Sequence, residues 1–249
     1  MKIIYRLISE LFLIISPLII LYRVLKGKES KHRFFERYAV KSCLRNSGKL
    51  IWFHCSSVGE LLSIVPVLEK FEKNSLINQI LLTSTTLSSS KIVKKLNFKK
   101  TVHQFFPIDN NFVMKKFINY WNPSIFFLCE SEIWPNLINI VKSKNIRLVL
   151  INGRITKKSF KKWKKIINFS KFIFKKFDLN LAQNDETKNY LKILGAKNIK
   201  KIGNLKFSQR NMQTSDKINK YQRIFFNSKK IFFCAVSTHQ TEEIFCAEI

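Results

Sequence analysis

Apolar residues fall in short runs along most of this chain, and between the runs they space out at helical intervals. Residues 50–55, 80–83, 102–106, 125–129, 147–151, 179–181 and 231–236 are runs of strand length. After the first, Leu61, Leu62, Val65 and Leu68 recur at helical spacing, and 88–96 and 112–121 read as helices too. Strand alternating with helix implies a doubly wound parallel α/β sheet. Residues 157–176 are expected to form one lysine-dense helix, with Phe160, Trp163, Ile166, Ile167, Phe169 and Phe172 on its apolar face. Such interleaving is compatible with lipid binding, but a solvated face over an ordinary core explains it more often. The polar stretch 208–228, rich in Gln, Asn, Ser and Lys, is expected to be a linker.

The distinctive polar clusters lie where the apolar runs end. Ser56-Ser57-Val58-Gly59-Glu60 follows the first run, and Glu130-Ser131-Glu132-Ile133-Trp134-Pro135-Asn136 follows 125–129. Asn152-Gly153-Arg154-Ile155-Thr156, Ala182-Gln183-Asn184-Asp185-Glu186 and Ser237-Thr238-His239 likewise follow strands, and Gly203-Asn204-Leu205-Lys206-Phe207 lies further along. Ligands of open parallel sheets sit outside the carboxyl ends of the strands, so these exits are the candidate site. A helix start accounts for the same residues taken singly. Glu in a first turn complements the macrodipole, and Pro is tolerated there because its missing N–H has no helical partner.

The N-terminus is apolar from Leu7 to Tyr22, interrupted by Glu10 and Pro17, and is followed by Arg23, Lys26, Lys28, Lys31, Arg33 and Arg37. A span normally needs about 20 predominantly apolar residues, and the unbroken parts are shorter. Residues 1–28 are therefore expected to be an uncleaved anchor or an interfacial helix, with the globular part facing the cytoplasm.

Composition narrows the partners. Net charge is +29, from 36 Lys and 9 Arg against 16 acidic residues. A surface this basic suits an anionic membrane or a phosphorylated ligand, or else nucleic acid. No nucleic-acid-binding module accompanies it, so nucleic acid is not expected as a partner. The five cysteines are scattered with no CxxC pair, and neither a disulfide scaffold nor a metal site is expected. Cys55 and Cys129 are expected as small buried hydrophobes. His54, beside the first cluster, is left open between a substrate contact and a hydrogen-bonded structural histidine.

Taken together, SSVGE at 56–60, ESEIWPN at 130–136, NGRIT at 152–156, AQNDE at 182–186, GNLKF at 203–207 and STH at 237–239 make the chain resemble the 3-deoxy-D-manno-octulosonic acid (Kdo) transferases. It departs from their pattern in the Thr-rich loop 83–89, at Ser208 and at Gln240-Thr241. The resemblance implies a GT-B arrangement of two Rossmann-like domains. It also implies transfer of Kdo from CMP-Kdo to a lipid A precursor (lipid IVA), for lipopolysaccharide, at the cytoplasmic face of the inner membrane. Neither cofactor nor metal is expected, since no DxD pair occurs.

In that reading residues 45–207 are the acceptor domain, 208–228 the linker and 229–249 the start of a nucleotide-binding domain. A domain needs at least about 50 residues, so the last part is expected to be incomplete. The alternative is a non-catalytic remnant that binds lipid A precursor at the membrane. By resemblance Glu60 is the proton acceptor, while Glu130 and Lys206 stabilise the transition state from opposite sides. Glu132 is expected to cap or orient its loop. Substrate contacts are expected from Ser56, Ser57, Gly59 and Arg154, with Ser237, Thr238 and His239 binding the CMP phosphate. A helix N-terminus at Glu60 is expected to favour its ionised form, giving a ready but weak base.

Overall fold

Strands buried on both faces need cover on both, and here each of the first six strands is followed by a helix that supplies it. The computed structural model describes residues 2–208 together with 243, 244 and 246. Met1–Gln209 and Arg210–Ile249 are two separate units. The expected linker beyond Ser208, the strand at 231–236 and the candidate residues Ser237, Thr238 and His239 lie outside the described residues.

The strands are β1 (Leu50–Cys55), β2 (Gln79–Ser84), β3 (Thr101–Phe105), β4 (Ile125–Cys129), β5 (Arg147–Gly153), β6 (Leu179–Ala182) and β7 (Ile199–Lys201). They form one parallel sheet in the order β3-β2-β1-β4-β5-β6-β7. Between them run α2 (Val58–Glu72), α3 (Leu87–Lys95), α4 (Asn111–Trp121), α5 (Pro135–Ser143), α6 (Lys157–Lys165), α7 (Ile167–Phe174) and α8 (Asp185–Ile193), while α1 (Lys2–Leu25) precedes the sheet. This is the expected doubly wound α/β fold. The short strand β7 has no apolar signature, with two exposed lysines among its three residues, and it is defined by its pairing to β6.

Successive side chains of β1 part to opposite faces. Leu50 and Trp52 join Phe126, Leu128, Leu148 and Leu150 under α4, α5 and α7. Ile51, Phe53 and Cys55 join Ile80 and Leu82 under α2 and α3. Trp52 stacks on Phe126 with centroids 3.9 Å apart and donates its indole N–H to Thr83 Oγ1 at 2.9 Å, so its burial leaves no polar atom unpaired.

Helix starts follow from local chemistry. Ser57, Thr86, Asn110, Thr156 and Asn184 each accept a backbone N–H from the first turn of the helix they precede. Helix α5 has Pro135 at its start and no side-chain cap of this kind. Its orphan N–H groups at Asn136 and Leu137 go to the buried carboxylate of Asp109, at 3.2 and 2.7 Å.

Residues ahead of 45 are also built into the body. Glu36, in a 3₁₀ turn (Phe34–Tyr38), is fully buried and accepts the Phe105 N–H at 2.6 Å and Arg33 Nε at 2.6 Å. Arg37 donates to the carbonyls of Phe106 and Thr85 and to the carboxylate of Glu29.

Two expectations are corrected. Residues 157–176 form two helices, because the backbone leaves helical geometry at Ile166 (φ −121°, ψ 43°) and the Ser170 hydroxyl takes up the Trp163 carbonyl. The turn lets Phe169, Ile173 and Phe174 enter the core, while α6 buries no residue. The N-terminal segment is continuous through Glu10 and Pro17, and starts before Leu7. Residues Ile3–Leu25 are long and apolar enough to cross a membrane, with mean hydropathy 2.1.

One side of α1 lies on the domain. Tyr5 donates its hydroxyl to Asp109 at 2.7 Å, Asn136 Nδ2 donates to Ser9 Oγ at 3.1 Å, and the Ser16 and Tyr38 hydroxyls are 3.1 Å apart. Ile3, Leu7, Ile14 and Leu18 remain exposed. Tyr5→Phe removes one partner of a buried carboxylate, so it is expected to lower stability by about 1–3 kcal/mol. Urea unfolding of wild type and variant in the same detergent measures this, and an unchanged midpoint would show that α1 is not held at Asp109.

Candidate active site

Strand order decides which exits meet. β1 has β2 on one side and β4 on the other, so the order of connection reverses there and a crevice opens outside the ends of β1 and β4. Pairing of His54 with Leu128 puts the next residues of both strands at that crevice, Ser56–Glu60 from one and Glu130 from the other.

Glu60 sits in the first turn of α2 and is tied back to the strand end. One carboxylate oxygen accepts the Ser56 N–H at 2.8 Å, and the other accepts the Ser57 hydroxyl at 3.2 Å. Ser57 Oγ in turn accepts the Glu60 N–H at 3.3 Å, a reciprocal arrangement close to a capping box. The carboxyl is pushed up to about 7: burial raises it most, the Ser56 N–H opposes the rise, and the neighbouring carboxylates Glu132 and Glu130 add to it. The expectation that the helix N-terminus keeps Glu60 an ordinary, weak base is therefore corrected: desolvation and like charge outweigh the macrodipole.

Glu130 takes up a left-handed backbone conformation, φ 52°, rare for a residue with a side chain and found where surrounding structure enforces it. Its N–H donates to the Ile151 carbonyl at 3.1 Å, which turns the chain away from the sheet and leaves the carboxylate in the crevice. Lys206 Nζ lies 3.2 Å from Glu130 Oε1 as an ion pair, without the alignment of a hydrogen bond. The end of the same lysine lies over Gly59, where an added Cβ would be 3.9 Å from Nζ. Glu130 and Lys206, expected on opposite sides of a reacting centre, are thus in direct contact, because the segment 203–207 folds back over the start of α2.

Asn152 was not singled out as a site residue, and it holds that segment. It is fully buried, left-handed at φ 53°, and its Oδ1 accepts the Leu205 N–H at 3.0 Å. Asn is tolerant of this backbone conformation, the signal that marks such a position.

The remaining candidates divide. Ser56 Oγ is 3.1 Å from Thr85 Oγ1, Ser57 and Gly59 are exposed at the crevice, and Arg154 is exposed beyond β5 with its N–H 3.4 Å from the Glu130 carbonyl. Glu132 orients its loop by accepting the Trp134 indole N–H at 3.1 Å and does not cap α5. His54 is structural. It is fully buried, its Nδ1 lies 3.1 Å from Thr83 Oγ1, and it stacks on Phe106 at 3.8 Å. Burial holds its pKa below the ordinary value, and Glu132 at 3.9 Å is too far for a hydrogen bond. A cleft of about 610 Å³ lies beside the edge strand β3 between Arg33, Lys94 and His103. It contains none of the carboxylates at the crevice.

Residues 32–209 match a family described as 3-deoxy-D-manno-octulosonic-acid transferase (kdotransferase). The chain belongs to the Kdo transferase family. A 3-deoxy-D-manno-octulosonic acid transferase of Rickettsia bellii is 35% identical over 240 residues, which cover 96% of this chain and 57% of that protein. A probable mitochondrial 3-deoxy-D-manno-octulosonic acid transferase of Arabidopsis thaliana is 37% identical over 163 residues, 64% of this chain and 36% of its own length. The Haemophilus influenzae transferase is 28% identical over 247 residues, covering 94% and 56%. The chain thus spans little more than half the length of these bacterial relatives. The Kdo transferase match contains both β1 and β4 exits and ends just beyond Lys206.

The titration of Glu60 sets a direction for stability. Between pH 4.5, its ordinary value, and about 7, the folded protein holds a proton there that the unfolded chain has released. This contribution to stability is present at low pH and lost as pH rises through that window. Glu60→Gln is expected to flatten the slope, read from urea unfolding midpoints at about pH 5 and about pH 8. A slope unchanged by the substitution would mean that Glu60 does not titrate near neutrality.

Proposed function

We infer that this chain serves in the transfer of Kdo from CMP-Kdo to a lipid A precursor at the cytoplasmic face of the inner membrane. The observation that carries the reading is Glu60, a carboxylate with a pKa of about 7 at the switch point of the sheet. A general base works best when its pKa is near the ambient pH, because it is then both available and strong.

In the proposed reaction an acceptor hydroxyl gives its proton to Glu60. The hydroxyl oxygen bonds to the anomeric carbon of Kdo as the bond from that carbon to the CMP phosphate breaks, and CMP leaves with the electron pair. Positive character at the anomeric carbon is opposed by Glu130, and negative charge on the departing phosphate by Lys206. For this the ammonium exchanges its contact with Glu130 for the phosphate, a change the long lysine stem permits.

Ser56, Ser57, Gly59 and Arg154 are proposed acceptor-side contacts, and Ser237, Thr238 and His239 contacts to the CMP phosphate. Residues 45–207 are read as the acceptor domain, 208–228 as the linker and 229–249 as the beginning of the nucleotide-binding region. The apolar helix α1 and the net charge of +29 favour an anionic membrane surface as the place of work.

Glu60→Gln retains an acceptor for the Ser56 N–H, so the cap survives while the base is lost. Turnover in a radiolabelled Kdo transfer assay is expected to fall about 100-fold or more. Near-normal turnover would remove Glu60 from the mechanism.

A further inference from the structure

A second concave surface adjoins the loop that carries Glu130 and Glu132. Its volume is about 360 Å³, and it is lined by Ile4, Ile8, Ile133, Trp134, Trp163 and Phe169 among others. Three elements meet there: α1, the loop between β4 and α5, and the α6–α7 junction. The lining is apolar apart from the rims of the aromatic side chains, with the Tyr5 hydroxyl turned away to Asp109. We propose that this groove holds one acyl chain of the lipid A precursor and so sets the glycolipid's sugar against the carboxylates of the crevice.

Three observations choose that occupant. One wall, Ile4 and Ile8, belongs to a helix of membrane-spanning length with further exposed apolar residues at Ile3, Leu7 and Ile14, so the groove opens beside a surface suited to hydrocarbon. The inner wall is Ile133 and Trp134, in the loop that carries Glu130, and the Trp134 indole is bonded to Glu132. A chain lying in the groove therefore ends beside the carboxylates, where the acceptor hydroxyl has to be.

The third observation is charge. Trp163 faces the groove from α6, while the lysines around it, including Lys161, Lys162, Lys164 and Lys165, are exposed. An apolar lining with exposed lysines on the helix that supplies Trp163 suits a phosphorylated glycolipid, with a chain in the groove and phosphates toward those lysines.

The proposal rests on the reading of the acceptor as a lipid A precursor, and photolabelling separates the two. Vesicles of phosphatidylethanolamine and phosphatidylglycerol would carry either a lipid A precursor with a diazirine in one acyl chain or a phosphatidylethanolamine with the same diazirine, and adducts would be mapped by mass spectrometry. The precursor is expected to label Ile133, Trp134, Trp163 or Ile166, and the phosphatidylethanolamine only the outward face at Ile3, Leu7, Ile14 and Leu18.

Ile8→Trp narrows the groove and is expected to cut groove adducts about ten-fold, as displacing a few buried methylenes would, while leaving those of the outward face. Equal groove labelling by both probes, or precursor adducts confined to the outward face, would overturn the proposal. Photolabelling needs no turnover, so a failure of Glu60 as base would leave groove labelling intact, whereas a misplaced groove would leave Kdo transfer by Glu60 intact.

Discussion

The pairing of β1 with β4 is the constraint on which the candidate site depends. These strands are separated in sequence by two further strand–helix units, yet they are neighbours at the centre of the sheet. Trp52 on Phe126 and Phe53 on Phe127 stack across that pair on its two faces. Aromatic pairs of this kind make the register costly to slip, since a shift of one residue would exchange the faces of every side chain. Register in turn sets the height at which Glu60 and Glu130 leave the sheet.

Crowding of charge follows from that placement. Glu60, Glu130 and Glu132 share one crevice, His54 beside them is held neutral by burial, and Lys206 is the cation in contact with Glu130. Burial pushes the Glu60 carboxyl upward, and the like charge of Glu132 and Glu130 adds to the rise. The left-handed backbone at Glu130 and Asn152 belongs to the same economy of space: both strands end on a sharp turn, one presenting a carboxylate and the other an amide that holds the Lys206 segment.

Asp109 connects this region to the N-terminal helix. A single buried carboxylate accepts the first N–H groups of α5, which follows the Glu130 loop, and the hydroxyl of Tyr5 on α1. Docking of α1 and the position of the loop therefore share one anchor. The apolar groove lies between them, lined by Ile4 and Ile8 of α1 and by Ile133 and Trp134 of the loop.

Much of this was legible along the chain. Apolar runs marked six of the seven strands within the described residues, because parallel strands buried on both faces need little polar alternation. The clusters containing Glu60 and Glu130 stood out because polar residues at strand exits interrupt an otherwise apolar pattern. Other features were not legible. Strand β7 depends on a hydrogen-bonded neighbour, the break at Ile166 depends on which half of the segment reaches the core, and the continuity of α1 through Pro17 depends on its seat against the domain. The pKa of Glu60 is tertiary as well: the sequence shows a glutamate at a helix start, which argues for an ordinary acid, whereas desolvation and two carboxylates brought from another strand reverse that outcome. The contact of Lys206 with Glu130 arises in the same way, from an asparagine on β5 that binds a segment more than 50 residues away. Residue types and local spacing determined the elements and the chemistry available, and long-range packing decided which groups share a low-dielectric space, because desolvation and Coulomb interactions depend on distance in space and not on distance along the chain.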